Sequence, residues 1–426
     1  MAGAGAHAPL WLTLLPAPPL GVTFEALRRV YSPSLTQALR RASQTSIAFS
    51  TVTLLDIAIA CPNLPNDPHI PRTSQYADLQ TLFGQMYKLI CVICTEESID
   101  TQYGNDVDAR VLLFDEITEN SLEQEIKATK ESYLFEGPVT SLQALALCDR
   151  PWQCLCVIDS NDGNVLLGVF QRLRRTPFEG ARHDLAIEKL HRGSDMETPN
   201  RPRPQSIETA DAAPVRHYSV AVGGTFDHLH AGHKLLLTMT ALVLEPAARS
   251  ETSENRTLIV GITSDELLKK KQFVEVLQSW DQRQACVRQF LLALLELSSP
   301  AHVVTSTQEY SNSDTLGKSV YDKLKSGLTI KYVELFDAFG PTITDETISA
   351  LVVSGETRAG GKDVNDKRRN KGWSNLQVFE VDVLDAEGKD DLKPSGDEDG
   401  FRNKISSTEI RRRLHDGLKI HPAATN

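Results

Sequence analysis

The stretch on which the reading of this chain turns is Ser219-Val220-Ala221-Val222-Gly223-Gly224-Thr225-Phe226-Asp227-His228-Leu229-His230-Ala231-Gly232-His233-Lys234. Its first part is a short apolar run ending in a glycine pair, the pattern of a buried strand that closes in a tight turn. From His233 the chain continues HKLLLTMTALVLEPA, an apolar stretch of helical length. Strand, glycine turn and helix in that order place the turn at the carboxyl end of a parallel strand, where such sheets bind ligands. His230 and His233 then fall at the helix entrance, whose free N–H groups and positive dipole end attract phosphate. Two imidazoles there can hydrogen-bond triphosphate oxygens, while Gly232 leaves room for a nucleotide.

Outward from this stretch, RTLIVGIT, AHVVTST, YVELFD, ALVVSG and LQVFEVDVL read as further strands, alternating with helical stretches such as SDELLKKK. That alternation predicts α/β architecture, with right-handed crossovers and a Rossmann-like parallel sheet. Upstream, SIAFSTVTLLDIAIA, KLICVICT, ARVLLFDE, QCLCVIDS and NVLLGVFQ also read as strands, with helices around Ala38 and Leu142. A second α/β domain without nameable chemistry is expected there. Cys91 and Cys94 form a C-x-x-C within an apparent strand; with no second pair to complete a zinc site, they read as core cysteines.

Between the halves, Gly193 to Pro214 is polar, proline-bearing and poor in branched apolar residues, the composition of a solvated linker. The expected organisation is an N-terminal domain over 1–192, a linker over 193–214 and a C-terminal domain over 215–426. A charged loop is expected at 385–403. Mild proteolysis is expected to cut the linker first and leave a folded C-terminal fragment.

The whole chain has 426 residues, 41% of them hydrophobic, enough for ordinary buried cores. Its net charge of −11 argues against a general nucleic-acid or anionic-membrane binder, which needs basic surface. Seven cysteines lie inside apolar runs and read as reduced thiols. The N-terminus lacks a basic region and is broken by prolines, so no secretory signal is expected. No run of about 18 uninterrupted apolar residues suggests a membrane span. A cytoplasmic chain is expected, with the nucleus also open to it.

A second motif, Ile405-Ser406-Ser407-Thr408-Glu409-Ile410-Arg411, has Ser406 and Glu409 at capping-box spacing, so a helix begins there. Ser406, Ser407 and Thr408 with the free amides make another anion site, and Arg411 can neutralise outer phosphates. The two motifs describe opposite clamps on one triphosphate.

Together these motifs resemble phosphopantetheine adenylyltransferases of the eukaryotic and archaeal type, in the HxGH nucleotidyltransferase superfamily. The resemblance runs from about Tyr218 to Leu414 and rests on VGGTFDHLHAGHK, VGITSDELLKKK, LVVSGET with a following glycine pair, and ISSTEIR. It implies transfer of AMP from ATP, taken with Mg²⁺, to 4′-phosphopantetheine, giving dephospho-coenzyme A and pyrophosphate. His233 is then implied as the catalytic donor to the α-phosphate, with His230 assisting and Thr225 orienting the acceptor phosphate. Gly223, Gly224, Phe226 and Gly232 are implied in nucleotide binding, and Ser406, Ser407, Thr408 and Arg411 in holding the outer phosphates. One of Lys269, Lys270 and Lys271 is implied to contact phosphate, Lys271 being our choice. Arg358, Arg368 or Arg369 is implied to reach the triphosphate. No resident protein-bound metal is expected. Arg283 occupies the family's E-R position, although its acidic neighbour, Asp281, lies one residue earlier.

Nicotinamide mononucleotide adenylyltransferases share the terminal motif, but their first motif usually carries a proline where this chain has Asp227-His228. Cytidylyltransferases usually end R-T-E-G-I-S-T, which is absent here. From another class, an inactive nucleotide-binding scaffold is the alternative. No G-x-x-x-x-G-K-[ST] phosphate loop occurs, so another coenzyme A biosynthesis enzyme is expected to complete the cofactor and is a candidate partner.

Overall fold

The computed structural model describes residues 8–18, 23–61, 64, 70–101, 106–115, 135–175, 185–193, 215–247, 255–297, 303–312, 315–382, 384 and 406–420. Most of the expected linker (194–214) and the charged loop at 385–403 lie outside the described residues.

The first half contains β1 (Leu10–Leu15), α1 (Phe24–Phe49), β2 (Thr53–Cys61), α2 (Tyr76–Glu96), β3 (Val107–Asp115) and β4 (Val139–Ser141). It continues with α3 (Leu142–Leu147), β5 (Cys154–Ile158), α4 (Asn161–Arg174) and β6 (Ala186–Leu190). All six strands form one parallel sheet in the order β4-β3-β2-β1-β5-β6. The winding reverses between β1 and β5, which makes the sheet doubly wound. Its central strands are apolar almost without interruption because helices cover both faces.

Several first-half expectations change. KLICVICT lies in α2, not a strand, and Cys91 and Cys94 are buried on that helix. NVLLGVFQ belongs to α4, capped by Ser160 and opened by polar residues. SIAFS ends α1, so the expected long strand begins only at Thr53. The proline-flanked LWLTLL is β1, at the centre of the sheet.

The second half runs β7 (Ser219–Gly224), α5 (Ala231–Val243), β8 (Arg256–Thr263), α6 (Asp265–Leu268), α7 (Trp280–Leu295), β9 (Val304–Asn312) and β10 (Thr315–Lys323). It ends with β11 (Leu328–Leu335), β12 (Ala350–Ser354), α8 (Arg358–Asn370), β13 (Gln377–Val381) and α9 (Ser407–Ile420). The sheet order is β13-β12-β7-β8-β11-β10-β9. The first five of these strands are parallel, and β10 and β9 extend them antiparallel. The expected Rossmann-like α/β sheet is present, with its reversal between β7 and β12. Both the glycine pair ending β7 and the SGET turn ending β12 stand at that crevice.

The two halves share a core. One contiguous buried cluster includes Leu12 of β1, Phe83 and Tyr87 of α2, Leu235 and Met239 of α5, and Leu291 of α7. Buried polar contacts cross the same boundary. Arg256 of β8 donates to both carboxylate oxygens of Glu136, at 2.7 and 2.9 Å. The Tyr76 hydroxyl donates to the Glu380 carbonyl at 2.9 Å, and the Tyr87 and Thr238 hydroxyls meet at 3.3 Å. No helix among the described residues is long and apolar enough to cross a membrane.

Candidate active site

The loop from β7 to α5 is strained and heavily pinned. Phe226 and His228 adopt positive φ angles of 53° and 47°, which side chains of their size rarely occupy without support. Phe226 is fully buried, its ring 5.4 Å from that of His233. The Asp227 carboxylate accepts from the Gln278 amide at 3.0 Å and from Arg411 Nη1 at 2.6 Å. His228 is held through its own amide to Gln278 Oε1 and through its ring to the Val276 carbonyl, each at 2.9 Å. Arg283 Nη1 donates to the Thr225 carbonyl at 2.7 Å, and its other nitrogens bind Gln278 O, Thr263 O and Asp265. Arg283 thus fixes the backbone of Thr225, while Asp281 pairs instead with Lys318.

His230 is the N-cap of α5 and makes no side-chain cap hydrogen bond, which leaves the first-turn amides open to an anion. Its ring stacks on His233 with centroids 3.9 Å apart and planes 22° apart. His230 Nε2 lies 3.2 Å from Ser407 Oγ. The Nδ1 atoms of both imidazoles are buried without a hydrogen-bond partner among the described residues. Buried polar atoms are rarely left so, and a catalytic role is one of the reasons that they are.

Burial drives both rings toward the neutral form, assisted by the neighbouring histidines and, for His230, by Lys234. His230 falls well below its ordinary value, and His233 is pushed down to about 3. A neutral ring has one N–H. That of His230 goes from Nε2 to Ser407 Oγ, whose own hydrogen is given to the Asp227 carbonyl, whereas that of His233 remains available to a ligand oxygen. The unfolded chain protonates these rings below about pH 6.5, whereas the folded chain does not. Their contribution to stability is therefore full above that pH and is lost on acidification. The ceiling is about 1.4 kcal/mol per pH unit per ring. Urea midpoints measured from pH 7 to pH 4 should fall less steeply in His233→Gln than in the natural chain; equal slopes would contradict this.

The start of α9 closes the site. Ser407 Oγ donates to the Asp227 carbonyl at 2.9 Å, bringing this hydroxyl beside His230. Ser406 caps the helix through the Glu409 amide at 3.5 Å, the Glu409 carboxylate pairing with Arg412. Thr408 is exposed, its hydroxyl accepting from Arg411. Arg411 is buried against Asp227, Thr408 and the Gln272 carbonyl. Its charge is already balanced by Asp227, so the residue ties the two motifs together. Gly223, Gly224 and Thr225 lie at the strand end within partial reach of solvent, and Gly232 sits between the histidines.

The more distant basic residues divide. Lys271 is exposed next to Gln272, the residue bound by Arg411, which puts the lysine run beside α9. Lys269 pairs with Glu266. Arg358 is exposed at the carboxyl end of β12 and pairs with Glu380. Arg368 requires correction. Its five N–H groups go to five backbone carbonyls, those of Ser374, Thr342, Asp345, Glu346 and Ile348. No donor remains for a phosphate, and the residue staples the chain around α8. Arg368→Ala should cost about 3 kcal/mol or more by stranding buried carbonyls, read as a lowered urea midpoint with ATP KM unchanged in the folded protein. A raised KM at normal stability would restore the binding role.

The groups gathered at the starts of α5 and α9 are imidazoles, hydroxyls and backbone amides. The Asp227 carboxylate, in the same loop, is already bound by Arg411 and the Gln278 backbone amide. The gathered groups are hydrogen-bond donors rather than the oxygen ligands that a hard cation takes.

Residues 221–413 match the family described as Cytidylyltransferase-like, and residues 1–194 match a domain of unknown function (DUF8446). A phosphopantetheine adenylyltransferase of Saccharomyces cerevisiae is 36% identical over 199 residues, 47% of this chain and 49% of the yeast protein. An uncharacterised protein of Schizosaccharomyces pombe is 33% identical over 212 residues, 50% of this chain and 53% of its own length. The phosphopantetheine adenylyltransferase of Methanothermobacter thermautotrophicus is 31% identical over 199 residues, 46% of this chain but 85% of the archaeal protein. The chain spans about half the length of the two fungal relatives. With the archaeal protein matched over nearly its whole length, and with the strand-end crevice that the match covers, the chain belongs through its second half to the phosphopantetheine adenylyltransferase family of nucleotidyltransferases.

Proposed function

We propose that this chain transfers AMP from MgATP to 4′-phosphopantetheine, releasing pyrophosphate and forming dephospho-coenzyme A. The observation that carries the reading is the pair of stacked, neutral imidazoles with unpartnered Nδ1 atoms at the uncapped start of α5. A phosphate oxygen of the acceptor attacks the α-phosphorus, and the bond from that phosphorus to the bridging oxygen of pyrophosphate breaks. No covalent enzyme intermediate is needed, because in-line displacement asks for position and charge stabilisation. His233 donates to the α-phosphate as charge grows there, and His230 assists further along the triphosphate by turning its Nε2–H from Ser407 Oγ to a phosphate oxygen. Ser407 and the first amides of α9 take the outer phosphates, while Thr225, its backbone fixed by Arg283, orients the acceptor.

The test is pyrophosphate release by the full chain with MgATP and either 4′-phosphopantetheine or nicotinamide mononucleotide. Turnover confined to phosphopantetheine is expected. Efficient turnover with nicotinamide mononucleotide alone would overturn the acceptor, and turnover with neither would favour a scaffold.

A further inference from the structure

Lys234 directly follows His233, yet its side chain belongs to the first domain. Its ammonium donates to Asp108 Oδ1 at 2.6 Å and to the Ala109 carbonyl at 3.3 Å, both on β3. Its backbone amide donates to the His230 carbonyl at 2.9 Å, closing the helical turn that carries both histidines. Any shift of Lys234 therefore shifts the two imidazoles.

Asp108 is itself held. Its Oδ2 accepts from Arg110 Nη2 at 3.0 Å, and Arg110 Nη1 reaches Asp56 Oδ1 at 3.3 Å. Asp56 also accepts from Trp152 Nε1 at 2.8 Å and from Arg150 Nη2 at 3.1 Å. Arg150 then returns to the second half, donating to the Ala293 carbonyl of α7 at 2.7 Å. All these side chains are buried. Burial alone would raise the Asp108 carboxyl, but Lys234 and Arg110 outweigh it and hold the group below the usual carboxylate range. An apolar contact tolerates sliding, whereas a buried ionic network is satisfied in few geometries.

We propose that Asp108 is a positioning residue for the transfer site, holding the first turn of α5 through Lys234 so that the first domain serves as a fixed mount for His230 and His233. The kinetic part rests on the proposed reaction; the geometric part does not. The archaeal relative, matched over 85% of its length by the second half alone, leaves little chain for such a mount.

The test uses the full chain with Asp108→Asn, Lys234→Met and the double variant, which removes the two charges together while Arg110 keeps Asp56. A displacement of the reacting groups on the order of 1 Å predicts a fall in kcat of about 10- to 100-fold, with ATP KM changed by less than about threefold. Imidazole ¹⁵N resonances of His230 and His233 in the ligand-free chain should move in every variant. Gln80→Ala, which removes only a surface contact to Asp382, should move neither readout. Should Asp108→Asn fail to fold, the double variant carries the same test. Unmoved resonances with normal kcat in a folded variant would overturn the proposal, as would equal effects from Gln80→Ala. A natural chain that transferred no AMP would sink the functional reading and leave the resonances to decide the mount.

Discussion

His233→Ala is expected to lower kcat by about a hundred- to thousandfold, about 3–4 kcal/mol, by analogy with loss of one oxyanion-hole donor. As the acceptor attacks, negative charge builds on the α-phosphate and on the departing pyrophosphate. A donor aimed there strengthens in the transition state, so its loss should affect turnover far more than ATP binding. The imidazole suits that task because it is neutral, buried and without a competing partner at Nδ1. Its orientation is fixed from two sides, by the stacked His230 ring and by the Phe226 ring. Thr225→Ala should also slow turnover by misplacing the nucleophile. A variant without His233 that kept its circular dichroism and near-normal turnover would remove this residue from the chemistry.

Glu136→Ala is expected to destabilise the whole chain by about 3–5 kcal/mol, the usual cost of stripping one member from a buried ion pair. Arg256 would keep its carbonyl partners on Glu245 and Ser326 but lose its counter-charge. Since the core runs through both halves, the loss should lower a single unfolding transition rather than melt one half alone. The same contacts bear on the linker. Composition suggests halves that part once cut, whereas the buried boundary predicts that a chain nicked between 194 and 214 stays together on gel filtration. Separation of the fragments under native conditions, or an unchanged melting temperature in Glu136→Ala, would count against a shared core.

The second half was legible because its strands end in visible punctuation. VAVGG, LIVGIT and ALVVSG each close on glycine or a polar turn, at the end of the sheet where chemistry gathers. KLICVICT carries no such mark. Its helix buries Leu89, Ile90, Cys91, Ile93 and Cys94, so the apolar run is too broad to show helical spacing. LWLTLL was hidden differently, its six residues lying between prolines in a stretch read only for a signal sequence. Within the site, the histidines and the serines of α9 were marked by their helix starts. The arginines were not, because a sequence reveals an arginine's charge but not where its five N–H groups go. Arg411 meets Asp227 from 184 residues away, and Arg368 is satisfied by carbonyls that carry no side-chain signal. Asp227 and Gln278 were missed for the same reason. The Ser279–Gln282 capping box does mark the start of α7, the helix carrying Arg283, and was available in the sequence.

The pairing of Lys234 with Asp108 also sets a timetable for synthesis. Lys234 is made 126 residues after Asp108. At about 5–20 residues per second that is an interval of about 6–25 s. Until it ends the growing chain lacks both the Lys234 partner of Asp108 and the α5 side chains that pack in one cluster with those of α2. Such a nascent chain presents a sticky, half-built surface to the cell's chaperones until α5 arrives. Closure of that surface and alignment of the two imidazoles are then one event, so the newly made protein acquires its reactive geometry in the same step that ends its exposure.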